Sequence, residues 1–233
     1  MKEVVLYSGG MDSHIAWYYL GKPEAIYIVH GCRYEWKQLR AIQKIREIEG
    51  TNKISIVDGI LNLSPFELPD ANIPLRNMYF AMVAANLGYD KIYLIVQRGE
   101  TSIPDRTPKF FKQISQILTE QFNREIVVES PFFDMTKQDM VKWYLDNGGN
   151  IESLLHTTAC FHPVYDACGN CKACFRRWVA LRYNGLEDKY RNYHQDIRNS
   201  PVTKKYIEDI LNGKYDEKRS QQTLEVLRKE GLL

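Results

Sequence analysis

Val4-Val5-Leu6-Tyr7-Ser8-Gly9-Gly10-Met11-Asp12-Ser13 carries an apolar run straight into a glycine pair, and Ser13 to Leu20 continues it with a helical pattern. A strand, a tight turn and a helix start are expected to meet there. The first N–H groups of a helix lack intrahelical acceptors, and the macrodipole adds partial positive charge, so such a turn can hold a phosphate or pyrophosphate. Gly9 and Gly10 let the chain approach a ligand, and Ser8 and Ser13 add hydroxyl donors. No Gly-Lys-Ser/Thr follows, as a Walker loop requires, and the glycine spacing of a dinucleotide fingerprint is absent. Asp12 and Ser13 are also good cap residues, so a plain Gly turn before a capped helix is the structural alternative.

Outward from this stretch, strand and helix patterns alternate. Glu24–Val29, Ile54–Val57, Ile92–Val96 and Glu125–Val128 read as strands, and Trp36–Glu49, Arg76–Leu87, Pro108–Phe122 and a Thr136-capped segment to Asn147 read as helices. Leu61 to Pro74 is too irregular for an element. Ile92-Tyr93-Leu94-Ile95-Val96 is apolar throughout, as a parallel strand buried on both faces requires. The order predicts an α/β fold with a doubly wound parallel sheet. Such sheets bind ligands beyond the carboxyl ends of their strands, so Ser8–Ser13, Cys32–Tyr34 and Gln97–Arg106 are expected around one crevice. Cys32 reads as a small buried hydrophobe beside it more than as a nucleophile.

The chain of 233 residues can bury a sizeable core. With 31 Lys and Arg against 29 Asp and Glu, the net charge of +2 gives no electrostatic footprint of a dedicated nucleic-acid binder. The N-terminus lacks the apolar stretch of a signal peptide and no later run approaches a membrane span, so a cytoplasmic protein is expected. Four of the five cysteines lie together at Cys160, Cys168, Cys171 and Cys174. Two-residue spacings present successive thiolates to one ion, and the upstream Cys160 can complete a closed Cys₄ shell, which implies structural zinc. An iron–sulfur cluster could use the same ligands, and His162 could displace a cysteine.

Ser8-Gly9-Gly10-Met11-Asp12-Ser13 resembles the PP-loop of ATP pyrophosphatases, and loop and cysteines together resemble the 7-cyano-7-deazaguanine synthases, the QueC family. The likeness extends to Ile73-Pro74-Leu75-Arg76-Asn77, to Pro104-Asp105-Arg106-Thr107-Pro108-Lys109-Phe110 and to Pro131–Val141. It implies a PP-loop ATP-binding domain over 1–150, a zinc-binding segment over 151–182 and a helical extension over 183–233. The implied reaction is ATP-dependent conversion of the small molecule 7-carboxy-7-deazaguanine, with ammonia, to 7-cyano-7-deazaguanine through carboxylate adenylation, a carbon–nitrogen ligase activity of queuosine biosynthesis. ATP, Mg²⁺ and Zn²⁺ are the implied cofactors. The resemblance implies that Tyr7, Ser8, Gly9, Gly10, Met11, Asp12, Ser13, Arg76 and Asn77 bind the nucleotide, with Asp12, Ser13 and Arg76 catalytic, Asp12 orienting the metal. Gln97, Arg98, Asp105 and Lys109 are the expected substrate contacts.

Where the family reads Asp-Tyr-Ser-Gly-Tyr, this chain has Gly99-Glu100-Thr101-Ser102-Ile103. Losing aromatic stacking surface costs about 1–3 kcal/mol for a purine-like ligand unless rings such as Tyr34 or Trp36 compensate. A ligase that joins a deazapurine carboxylate to another amine, or stops at the amide, is therefore the alternative, with a non-catalytic nucleotide-binding partner module as a second. After Arg182, Tyr190, Tyr193, Tyr206, Ile207, Ile210, Leu211, Leu224, Val226, Leu227, Leu232 and Leu233 mark amphipathic helices. Their balanced charge suits packing on the body or on a protein partner, and a homodimer is the expected assembly.

Overall fold

Five short strands, β1 (Glu3–Leu6), β2 (Ala25–Ile28), β3 (Ile54–Val57), β4 (Lys91–Tyr93) and β5 (Val127–Glu129), form the centre of the computed structural model, which describes residues 1–165, 167–188 and 200–233. They pair in parallel in the order β3-β2-β1-β4-β5. Alternation along β1 feeds two cores. Val4 and Leu6 pack with Ile26, Ile28, Ile92 and Val128 on one face, and Val5 and Tyr7 with Ala25, Tyr27, Ile54 and Tyr93 on the other. Because both faces are covered, the strands carry apolar residues at consecutive positions.

α1 (Met11–Tyr19) and α2 (Glu35–Glu49) cover the second face through Trp17, Ile42 and Ile45. α3 (Arg76–Asn86) and α4 (Pro108–Phe122) cover the first through Ala81, Ala84, Phe111, Ile114 and Leu118. The fold is thus the α/β, doubly wound sheet expected from the alternation. α5 (Lys137–Asp146), α6 (Ile151–His156) and α7 (Lys172–Tyr183) extend it, with Met140, Val141, Tyr144, Leu154, Ala180 and Leu181 packed on Met11 and Ile15 of α1. α8 (Pro201–Leu211) and α9 (Glu217–Lys229) lie against α7 through Tyr206, Ile210, Val226 and Leu227, which meet Phe175, Trp178 and the clustered cysteines. Tyr190 and Tyr193 lie outside the described residues. No helix among the described residues is long and apolar enough to cross a membrane.

The differences from the sequence pattern sit at the ends of elements. β4 pairs only to Tyr93, although the apolar run continues to Val96. Beyond Tyr93, Leu94 N still donates to Glu129 O (3.0 Å), and then the Ser130 hydroxyl takes over, accepting from Val96 N (3.1 Å) and donating to Val96 O (2.6 Å). A side chain thereby holds the chain extended as it leaves the sheet for the site. The irregular Leu61–Pro74 stretch contains one 3₁₀ turn, Ser64–Phe66. α7 begins at Lys172, where the Cys171 thiol caps it by accepting from Cys174 N at 3.4 Å. Thr136 caps α5 as expected, in a reciprocal box with Asp139.

Candidate functional site

The glycine turn is held by its own serines. Ser13 Oγ donates to Gly10 O (3.0 Å) and accepts from Ser8 N (3.1 Å), and Ser8 Oγ accepts from Gly10 N at 3.3 Å. Gly10 is the N-cap of α1 and receives no side-chain cap, so Asp12 and Ser13 do not serve as helix caps. Gly9 has φ +69°, and a Cβ there would stand 2.8 Å from Gln38 O. Its glycine requirement therefore comes from packing against α2 rather than from a ligand. Thr158 N donates to Gly9 O at 2.9 Å, tying the turn to the cysteine segment. Tyr7 stands behind it, its hydroxyl 2.9 Å from His14 Nδ1, while His14 Nε2 reaches Tyr144 Oη at 3.0 Å. Burial lowers the His14 pKa to about 4, so the ring is neutral; Tyr144 Oη donates to Asn150 O at 3.0 Å and so accepts from Nε2, which leaves Nδ1 to accept from Tyr7.

A cavity of about 240 Å³ opens beyond the carboxyl ends of the central strands, lined by Leu6, Ile28 and Leu94–Val96. Tyr7, Ser8, Gly10, Met11, Asp12, Ser13, Arg76 and Asn77 line it too, and Gly9 does not. Its remaining charged wall comes from residues that motif reading did not single out as site residues: Glu100, Arg106, Lys137 and Arg176. Arg177 also borders it, but its guanidinium is buried against Asp188 at 2.7 Å. Among the described lining residues, Arg76, Arg106, Lys137 and Arg176 face only the carboxylates of Asp12 and Glu100, and the surplus of cations suits a polyanionic ligand. Lys137 follows the Thr136 cap, and Arg176 is a charge within the apolar helix run after the last cysteine. Those two local oddities were the available signals. Tyr34 and Phe161 supply rings 5.4 Å apart, and Trp36 lies outside the lining, beside Tyr165.

The two carboxylates are held by cations. Lys137 Nζ contacts both Asp12 oxygens, at 2.5 Å to Oδ2, and Gln97 Nε2 lies 3.4 Å from that oxygen. Burial lowers the pKa of Lys137, and the Asp12 charge opposes it. Glu100 accepts from Arg176 at 2.5 Å and faces Arg106 at 3.5 Å. Burial alone would raise the Glu100 pKa, but the Arg176, Arg106 and Lys137 charges hold it well below the usual carboxylate range.

The four expected substrate contacts do not line the cavity. Gln97 is buried one step behind, touching Asp12, and Arg98 turns away to Asp216 at 2.8 Å. Asp105 is buried, and its Oδ2 accepts from Asn77 N at 3.4 Å while Asn77 Nδ2 donates to Asp105 O at 2.9 Å. It therefore supports the start of α3; the cap of α4 is Thr107, which accepts from Phe110 N. Lys109 is exposed on α4. Arg76 donates to Tyr34 Oη at 3.4 Å.

Cys160, Cys168, Cys171 and Cys174 place their sulfurs within 4.8 Å of one another, with Cys168 and Cys174 at 3.9 Å. A tetrahedral ion with bonds near 2.3 Å needs sulfur pairs about 3.8 Å apart, so the set fits zinc and leaves no open position. The His162 side chain is exposed and only its carbonyl lies near Cys160. The cluster is structural in placement: Cys160 and Ala173 border the cavity, and Arg176 leaves α7 two residues after Cys174. Elsewhere His30, Cys32 and Glu35 also approach one another. Glu35 accepts from His30 N and Gly31 N, and His30 Nδ1 bonds Ile28 O, while His30 Nε2 is buried without a hydrogen-bond partner among the described residues. Burial pushes the Cys32 thiol up to about 12, which leaves it a poor nucleophile.

A family model described as "Queuosine biosynthesis protein QueC" matches residues 38–185. Similar proteins include the 7-cyano-7-deazaguanine synthase of Methanosphaerula palustris, 29% identical over 219 residues, covering 81% of this chain and 97% of that protein. Those of Nitratiruptor sp. (28% over 217 residues, 81% and 97%) and Chlorobaculum parvum (26% over 219 residues, 81% and 95%) are alike in extent. The serine-knit glycine turn, the cation-walled cavity and the four-cysteine cluster are thus set in a chain that belongs to the QueC family.

Proposed function

We propose that the protein is an ATP-dependent synthase that converts 7-carboxy-7-deazaguanine and ammonia to 7-cyano-7-deazaguanine. The observation that carries this reading is the anion-holding turn at the head of a cavity walled by Arg76, Arg106, Lys137 and Arg176, in a chain similar along most of its length to enzymes of that name. A carboxylate is a poor electrophile because its leaving group would be oxide. Attack of its oxygen on the α-phosphorus of ATP breaks the bond to pyrophosphate and yields an acyl adenylate. Ammonia then adds to the carbonyl carbon and loses a proton, and the C–O bond breaks so that AMP leaves carrying the oxygen that attacked phosphorus, giving the amide. A second ATP adenylates the amide oxygen, and loss of AMP with both amide protons yields the nitrile.

The chain's part in this is positioning and charge neutralisation. Backbone N–H groups of Met11 to Ser13 suit the pyrophosphate, and Arg76, Lys137 and Arg176 suit the charge that grows on the departing oxygens. Asp12 is the carboxylate suited to a Mg²⁺ ion, which when bound would take further phosphate charge; Lys137 occupies that role electrostatically in the free protein. Tyr34 and Phe161 offer stacking surface in place of the family's missing aromatics. The zinc site holds the wall that carries Arg176.

Incubating the purified protein with ATP, Mg²⁺, ammonium and 7-carboxy-7-deazaguanine and reading product masses tests the proposal. The nitrile, with two pyrophosphates released per product, is expected. Pyrophosphate with the amide as final product would replace the nitrile reading by the amide-forming alternative, and no pyrophosphate with any amine would remove both.

A further inference from the structure

Two walls of the cavity are carried by separate segments: the Gln97–Glu100 turn brings Glu100, and the first turn of α5 brings Lys137. α9 touches both. Its N-cap Asp216 accepts from Arg219 N through Oδ1 (3.0 Å) and from Arg98 Nε through Oδ2 (2.8 Å), so one carboxylate caps the helix and grips the turn. Arg219 donates to Gly99 O at 3.0 Å. Gly99 has φ +82°, and a Cβ there would meet Arg219 Cδ at 3.1 Å, so the arginine lies across a position that glycine leaves open. Only 8% exposed, Arg219 rests over the stacked rings of Tyr206 and Tyr215. Farther along the helix, Gln222 bridges both members of the α5 capping box. Its Nε2 donates to Asp139 Oδ1 (2.9 Å), and Thr136 Oγ1 donates to its Oε1 (2.6 Å).

We infer that α9 is a clasp in which Arg219 and Gln222 are positioning residues, fixing Glu100 and Lys137 relative to each other across the cavity and, through Lys137, holding Asp12. The family-model match ends at residue 185, so this helix lies beyond it. Buried charges act through sub-ångström placement, and Arg219 meets the Gly99 carbonyl next to Glu100 while Gln222 meets the helix cap next to Lys137. The apolar side of α9, Val226 and Leu227, packs with Phe175 and Trp178 of α7. Clasping and packing can therefore be separated by substitution.

The inference rests on reading the cavity as the pyrophosphate-releasing site, so one arm of the test needs no turnover. Gln222→Leu, Arg219→Met, Arg219→Lys and the packing control Val226→Ala are compared with the parent. Steady-state pyrophosphate release is measured, and so is acetylation of Lys137 by an amine-selective reagent, read by mass spectrometry. Gln222→Leu and Arg219→Met are expected to lower kcat about tenfold with the KM for ATP held within about twofold, and Arg219→Lys to recover most of the loss. Lys137 acetylation should rise about threefold in Gln222→Leu as the capping box loosens. Val226→Ala should lower the melting temperature and leave both readings at parental level. Parental kcat and parental Lys137 labelling in folded Gln222→Leu would overturn the clasp, as would equal changes in Val226→Ala. If the parent releases no pyrophosphate, the functional reading fails by itself and labelling decides: raised labelling upholds the clasp and unchanged labelling removes it. Should Gln222→Leu not fold, the two Arg219 variants carry the same comparison.

Discussion

Asp12 and Lys137 are the residues on which the proposed chemistry would turn. Each neutralises the other in the free protein, and both face the space where phosphate charge would develop. Asp12→Asn is expected to abolish pyrophosphate release with the circular dichroism spectrum intact, and Lys137→Gln to lower it by about a hundredfold or more. Unchanged turnover in either variant removes that residue from the mechanism. His14 makes a different prediction, about pH. Its ring is buried between Tyr7 and Tyr144 and titrates near 4, against an ordinary value of 6.5. Between those values the unfolded chain binds a proton that the folded chain refuses. The His14 contribution to stability is thus present above pH 6.5, falls as the pH drops toward 4 and is flat below, about 3 kcal/mol in all. Urea titrations at pH 7 and pH 4.5 should register the loss, and a His14 ring signal titrating near 6.5 would remove this account. Lys137 was readable as part of a helix start but not as a cavity wall, since Asp12 lies 125 positions away in the chain.

Among the elements, the glycine turn shows best how one sequence feature serves two masters. Gly10 caps a helix whose free N–H groups face the cavity, whereas Gly9 answers to α2 behind it. Gly9→Ala should destabilise the fold by about 1–3 kcal/mol through φ strain and collision with Gln38 O, measured by urea unfolding, whether or not ligand is present. An unchanged midpoint would mean that the turn relaxes freely. Strands and long helices were legible because two-sided burial and the 3.6-residue period leave direct marks, as in Ala25–Ile28 and Pro108–Phe122. The six-residue α6 is too short to show a period, and the end of β4 is set by the Ser130 hydroxyl, a partner 34 residues distant. Asp105, read as a contact for substrate, is turned to α3 because Asn77 offers it both an N–H and a side-chain amide partner.

At the scale of the whole molecule, the cysteine cluster joins the body to the C-terminal helices, since Cys160, Cys171 and Cys174 share one apolar core with Tyr206, Ile210 and Val226. Cys171→Ser should lose stoichiometric zinc, measured by elemental analysis, and lower the melting temperature by about 10 °C, as should stripping the parent with a chelator. A parent protein that purifies without zinc, or with iron in its place, would overturn the zinc site. The turn Ser8–Ser13, the parallel α/β order and the four ligand cysteines were all determined by the sequence alone, because each is a local pattern enforced by backbone geometry, by burial period or by ligand spacing. Only the tertiary structure decided which charges wall the cavity. Glu100 and Arg106 on one loop, Lys137 on α5 and Arg176 on α7 come from three separate segments of the chain, and what brings them together is the order of the strands and the packing of α5, α7 and α9, none of which a linear spacing encodes.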